Sequence, residues 1–587
     1  MIVKESKELI IRIGGEGGEG IISAGEFITQ AAVRSGLHVL TFKTFPAEIK
    51  GGYAMYQLRV SNDPLTSQGD NFDVMVAFNG EAYEMNKSLL REGTVFVYDG
   101  PGGDFEPDNL PGVYMYPVPM TKISKGDLGS IRAKNMVALG AVAQLFSIPM
   151  EQLRETIQHK FRKRGADVVE MNLKALDMGA FYVQNELKKT DPYSLHTNGA
   201  GIEDVLILSG NEAVAAAALA AGCRYYAAYP ITPATEIANW LARYLPKVNG
   251  VLLQEEDEIA SIASAIGASY AGVKAMTATS GPGLSLMTEL LGLAGMTEIP
   301  LVVVDVQRAG PSTGMPTKHE QSDLFLAAHG GHGDIPRIVL APGSVEDCFY
   351  LIIKAFNLAE KYQVPVLFLS DTSLGIRTQG IKKPNLKGIQ LVNRLTLSEN
   401  GDGNGGKPFQ RYEITESGVS PMSIPGQVGG AYIATGLEHD ESSAPIYSQA
   451  GHSRMTEKRF RKLARLEEDD FPSVSREGDD PADLGIISWG STHGSVQEAL
   501  ARLRSAGYKV AALYPHLLFP VPAIAIERFA ERVPSKRILV PEVNYQGQFA
   551  DLISAHTSVK PIKHTIYGGL PFNPEMIVNK VKEVLQK

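Results

Sequence analysis

The chain reads as a multidomain α/β protein, and three features carry that reading. Strand-like apolar runs alternate with helical patterns in three separate blocks, as they do when helices cover a mostly parallel sheet. In the stretch Tyr225 to Asp323, the apolar runs end in Pro, Gly, Ser, Thr or charge, which is how strands deliver polar groups to a site at their carboxyl ends. At 587 residues, 44% hydrophobic and 21% charged, the chain is long enough for three or four soluble globular domains.

Composition narrows the partners. The formal net charge of −9 argues against nucleic acid, which leaves a basic footprint. No apolar run is long enough to span a bilayer, so no membrane partner is expected. The opening residues MIVKESKELIIRIGG lack a signal-peptide pattern and go straight into a strand. The two cysteines, Cys223 and Cys348, lie far apart and form no CxxC. This chain alone therefore cannot supply the thiolates of an iron–sulfur cluster or a Cys-type zinc site, and a reducing cytoplasm is the expected compartment.

In chain order, residues 1–190 form a first α/β block. LIIRIG predicts a buried strand, GEGGEG a turn and IISAGEFITQAAVRSG a helix; HVLTF, YAMYQLRVS, DVMVAFN, GTVFVYD and GVYMYPV predict further strands. Gly15, Gly17 and Gly20 fit GxGxxG, but the next strand ends TFKTF without the acid that a dinucleotide site needs. A packing turn is the favoured reading; a dinucleotide or another phosphate-bearing ligand are the alternatives. Lys50, before Gly51 and Gly52, is a solvated hairpin residue or a point charge for an anion. The polar segment NELKKTDPYSLHTNGAGIE predicts a linker.

Residues 200–380 form the second α/β block, from DVLILSG to beyond VPVLFLSD. Residues 381–480 are rich in Gly, Pro and charge and are expected to be a connecting or partner-binding region. Within them GHSRMTEKRFRKLARLEEDD predicts a charged helix whose basic run is a solvated face. The GDG at Gly401–Gly403 is not a metal–diphosphate motif, because no apolar strand precedes it. Residues 481–587 alternate strand and helix like a small Rossmann-type domain.

The candidate chemistry lies in the central stretch. Of Glu255, Glu256, Asp257 and Glu258, helix N-terminal acids explain two or three. Glu258 shares a helix face with Ile262 and Ala265, so burial would raise its pKa and let it hold or share a proton. Arg308 ends PLVVVDVQR, where its planar fork suits a carboxylate; the competing reading is a strand-end ion pair. Thr232 and Thr317 place hydroxyls beside prolines. His329, His332 and Asp334 sit among glycines and read as a loop, not a metal site.

These segments resemble the 2-oxoacid:ferredoxin oxidoreductases, in particular large subunits in which a gamma domain is fused ahead of an alpha domain, of the 2-oxoglutarate type. YPITPATE, EEDEIASIASAIGASYAG, TSGPGLSLMTE and QRAGPSTGMPTKHEQSD carry the likeness, supported by PFQRYEITESGVSPMSIPG and by GGEGGEGI with EIKGG. Acids in the glycine loop, where many relatives have Gln, and FPAEIKGG are departures. The resemblance implies a gamma-type domain, a pyrimidine-binding domain of thiamine diphosphate enzymes and a transketolase C-terminal-like domain. It implies decarboxylation of a 2-oxoacid on thiamine diphosphate, with coenzyme A as acyl acceptor and ferredoxin as electron acceptor. A beta subunit, in an alpha2beta2 assembly, would hold Mg²⁺, the diphosphate and a [4Fe-4S] cluster. Carried over, Glu258 bonds the aminopyrimidine; Pro230, Ile231 and Thr232 line the cofactor side; Thr232, Arg308 and Thr317 hold the substrate; and Lys50 adds a second cation suited to 2-oxoglutarate. The same chemistry on pyruvate or a branched-chain or aryl 2-oxoacid, and a non-catalytic nucleotide- or protein-binding subunit, are the alternatives.

Overall fold

The computed structural model describes residues 7–46, 51–195, 204–397 and 409–586, in two compact units. The first comprises the chain to Leu208 together with Ile376–Lys383. Its eight-stranded sheet runs Tyr114–Val118, Val95–Asp99, Val74–Ala77, Glu8–Glu16, Tyr53–Ser61, His38–Thr44, Thr378–Lys382, Val205–Ser209. The first four strands are parallel, and Tyr53–Ser61 is antiparallel to both its neighbours.

The helix Ile21–Arg34 lies on this sheet through Ala24, Phe27, Ile28 and Ala31. Gly25 is required there, since a Cβ would stand 2.1 Å from the Tyr56 ring. The helices Lys134–Phe146 and Ala166–Glu186 cross on paired glycines: a Cβ on Gly140 would lie 1.9 Å from the Leu176 carbonyl, and one on Gly179 2.0 Å from that of Val137. The glycine loop after the first strand is closed by its own acid. Glu19 accepts the Glu16 amide at 2.8 Å and Asn79 Nδ2 at 2.9 Å, and pairs with Lys134 at 3.3 Å.

The predicted linker is partly built into this unit. Asp191 is 5% exposed and accepts the Tyr116 hydroxyl at 2.7 Å, and Leu195 joins the core. The sheet also takes two strands from beyond the first sequence block, Val205–Ser209 and Thr378–Lys382.

The second unit holds a seven-stranded and a five-stranded sheet. The larger runs Leu517–Phe519, Ile338–Leu340, Pro365–Asp371, Leu301–Gln307, Ala275–Thr279, Tyr225–Ala228, Val251–Gln254, all parallel except the first. The smaller is Ser475–Gly478, Val510–Tyr514, Leu484–Ile487, Ile538–Glu542, Ile562–Thr565. One apolar core spans the two, joining Leu301, Val303 and Leu324 to Trp489, Leu513 and Phe549.

Most of the basic run of the charged helix is not solvated, although Arg461 is exposed. Within and just beyond Gln449–Arg461, Lys458 and Lys462 are buried and both pair with the buried Glu298, Lys458 at 2.8 Å; Arg459 pairs with Glu438 at 2.9 Å. Arg411 donates to the Glu298 carbonyl at 2.7 Å. A distant acid supplies the reason, and local sequence periodicity does not reveal it. No helix among the described residues is long and apolar enough to cross a membrane. Gly401–Gly403 lie outside the described residues.

Candidate active site

Four adjacent parallel strands end together, and their carboxyl ends build the site. Val251–Gln254 leads into the acids, Tyr225–Ala228 into YPITPATE, Ala275–Thr279 into SGPG, and Leu301–Gln307 into Arg308. This is the place where open α/β sheets bind ligands.

The helix Glu258–Tyr270 begins with Asp257 as its cap, the side chain accepting the Ala260 amide at 2.8 Å. That role belongs to Asp257 alone. Glu258 turns inward at 6% exposure, on the same face as the fully buried Ile262 and Ala265. Burial pushes its carboxyl pKa up, while its own amide and Arg308 pull down. Apart from that amide, no described residue donates to it. Gly283 allows this placement, since a Cβ there would meet Glu258 Oε1 at 2.6 Å and Thr279 Oγ1 at 2.0 Å.

Arg308 is 7% exposed and donates from Nη1 to the Thr232 carbonyl at 2.8 Å. Its Nε is buried with no hydrogen-bond partner among the described residues. Burial lowers its pKa, opposed by Asp323, Asp305 and Glu258. The YPITPATE turn is fixed from a second side by the buried Asn211, which donates to the Pro233 carbonyl at 3.0 Å. Pro230 is exposed and Ile231 half-buried, its carbonyl accepting the Thr235 amide at 3.0 Å. The structure therefore brings Glu258, Arg308 and the Thr232 backbone together. Thr317 is buried on the loop after Arg308, which closes through Ala309 and Lys318 at 3.0 Å. No described contact joins its side chain to Glu258 or Arg308. Lys50 lies outside the described residues.

Arg308 opens on a cleft of about 910 Å³, lined on one side by Gly281, Pro282, Glu320 and Asp323. Its other side is Asn544, Tyr545, Gln546, Gln548 and Tyr567, from around the smaller sheet. Gln548 fixes this wall by donating to the Ser322 carbonyl at 2.8 Å and accepting the Phe325 amide at 3.0 Å. Sequence reasoning passed over these residues and over Asp305 and Asp323. The aspartate inside LVVVDVQR was a visible signal; the wall residues, more than 200 positions away, gave none.

Comparison with known proteins decides what this site belongs to. The family model "Pyruvate flavodoxin/ferredoxin oxidoreductase, thiamine diP-bdg" matches residues 216–458, which contain every described candidate side chain. Two further models, "Pyruvate ferredoxin/flavodoxin oxidoreductase" and "Pyruvate:ferredoxin oxidoreductase core domain II", match 10–182 and 482–572. The 2-oxoglutarate oxidoreductase subunit KorA of Mycobacterium tuberculosis is 32% identical, over 99% of this chain and 92% of its own.

The chain belongs to the 2-oxoacid:ferredoxin oxidoreductases.

Within the family, a solved 2-oxoglutarate:ferredoxin oxidoreductase from Magnetococcus marinus, with 2-oxoglutarate, coenzyme A and succinyl-CoA bound, is 54% identical. The match covers 99% of this chain and 100% of that one, with a TM-score of 0.94. The 2-oxoglutarate synthase subunit KorA of Methanocaldococcus jannaschii is 41% identical over 58% of this chain and 88% of its own. The multidomain α/β fold and the thiamine diphosphate-binding domain are those of the family. Glu258 suits such a group: a buried carboxyl with a raised pKa and no donor but its own amide can give a proton to a ring nitrogen.

Proposed function

We propose that this chain is the alpha subunit of a 2-oxoglutarate:ferredoxin oxidoreductase. It would interconvert 2-oxoglutarate, coenzyme A and oxidised ferredoxin with succinyl-CoA, CO₂ and reduced ferredoxin. The observation that carries the reading is the meeting of a buried acid, Glu258, with a half-committed guanidinium, Arg308, at the carboxyl end of one parallel sheet. The names of its relatives, all 2-oxoglutarate enzymes among the three compared, support the substrate.

Bound thiamine diphosphate supplies the nucleophilic carbon and the electron sink for loss of CO₂. Glu258 shares a proton with a pyrimidine nitrogen, and burial raises its carboxyl pKa in the direction that favours holding that proton. Arg308, fixed by Thr232, offers its remaining donors to the substrate carboxylate, with Thr232 and Thr317 beside it and Pro230 and Ile231 on the cofactor side. Lys50 supplies the cation for the distal carboxylate. Mg²⁺, the diphosphate grip and a [4Fe-4S] cluster belong to a beta subunit in an alpha2beta2 assembly, since this chain carries only two cysteines, both buried.

Steady-state comparison of 2-oxoacids tests the reading. Removing Lys50 as Lys50→Ala should raise KM for 2-oxoglutarate at least about tenfold more than KM for pyruvate. Equal effects on both substrates would refute the role of Lys50, and a lower KM for pyruvate in the unaltered enzyme would refute the substrate.

A further inference from the structure

Two carboxyls beside Arg308 have no part in the chemistry above. Asp305 is fully buried in the apolar strand Leu301–Gln307, and neither of its oxygens has a hydrogen-bond partner among the described residues. Asp323 Oδ2 is buried in the same condition. The two side chains lie within hydrogen-bonding reach of each other. In a buried site both cannot stay ionised at that separation, and the donor each lacks is one proton held between them.

The pair is built into the substrate cleft. Asp323 lines it beside Arg308, its amide donating to Gln307 Oε1 at 3.1 Å. Its Oδ2 stands 2.7 Å from where a Cβ on Gly281 would be, so the first glycine of SGPG makes room for this acid as Gly283 does for Glu258. Asp323 feels Asp305 from its strand, Arg308 from the strand end and Glu320 from the loop. Glu258 acts on Arg308, and Tyr545 and Tyr567 face the cleft from the opposite wall. Gly281 and Pro282 bring no titratable group. Burial and the charge of Asp323 push Asp305 well up; burial and Glu320 raise Asp323 to about 6, against the hydrogen bond from Asp305 and the charge of Arg308.

We propose that Asp323, backed by Asp305, is a positioning residue that couples binding of an anionic substrate at Arg308 to uptake of one proton. In the free site the pair holds one proton, and its remaining negative charge balances Arg308. When the substrate carboxylate arrives, Arg308 turns its charge to the substrate and the pair takes a second proton from solvent, so the cleft stays neutral. The inference rests on Arg308 being the substrate clamp.

The test is the pH dependence of KM for the 2-oxoacid, measured on the assembled enzyme. One-proton coupling predicts that KM rises about tenfold per pH unit above about pH 6. Asp323→Asn should make KM independent of pH over that range. Asp305→Asn should keep the slope, because its amide N–H replaces the shared proton as donor to Asp323. A flat KM in the unaltered enzyme, or an unchanged slope in Asp323→Asn, would overturn the proposal. Arg308→Gln separates the underlying reading: if it leaves KM unchanged, Arg308 is not the clamp, whatever the aspartates do.

Discussion

Glu258 and Gly283 show how much of the site rests on single atoms. The glycine keeps the first turn of its helix open so that a buried acid can lie against it. Gly283→Ala would place a methyl group 2.6 Å from Glu258 Oε1 and 2.0 Å from Thr279 Oγ1, so the acid must shift. Turnover of the 2-oxoacid should fall at least about a hundredfold, since a misplaced catalytic group of about 1 Å costs that much. The far-ultraviolet circular dichroism should stay near that of the unaltered protein. Gly267→Ala, on the preceding helix in open space, is the control and should keep turnover within about twofold. Of these residues the sequence revealed Glu258 and Arg308, because an acid on an apolar helix face and an arginine ending an apolar strand are local anomalies. The need for Gly281 and Gly283 was not legible, because it depends on side chains from other segments.

At the scale of elements, two contacts hold parts that the sequence presents as separate. The helix pair in the first unit closes on Gly140 and Gly179, where backbone meets backbone. Gly140→Ala should destabilise that unit by about 2 kcal/mol or more, read as a lower Tm, through overpacking. In the second unit Glu298 is buried between Lys458, Lys462 and the Arg411 guanidinium. These cations hold its carboxyl far below the usual range despite burial, so its folded pKa lies under its unfolded one. The stability it contributes is present above the unfolded pKa of about 4 and is lost as pH falls through the folded value. Glu298→Gln leaves buried ammonium groups without an anion and should cost about 3–5 kcal/mol in denaturant unfolding at neutral pH. A loss under about 1 kcal/mol would contradict the pairing. The lysines read as a solvated face because Glu298 lies 160 residues from Lys458, beyond any periodicity argument.

For the molecule as a whole, alternation of strand and helix disclosed the three sheets, but not their grouping. The smaller sheet reads as a domain of its own, yet it shares a core with the larger one and supplies a wall of the Arg308 cleft. Complementary apolar faces make that union, and nothing in either segment alone announces it. The chemistry is divided in the opposite sense. On the proposed reading the chain brings a proton-holding acid and an anion clamp, while its two cysteines, both buried, are too few for a cluster. Purified alone it should contain less than about 0.1 iron per chain and reduce no ferredoxin, and both properties should appear when its partner subunit is added. The most direct measurement is 2-oxoglutarate- and coenzyme A-dependent reduction of a low-potential acceptor by the assembled complex carrying Glu258→Ala. The complex should assemble, and turnover should fall by at least about a thousandfold. Full activity in that complex would contradict the role given to Glu258.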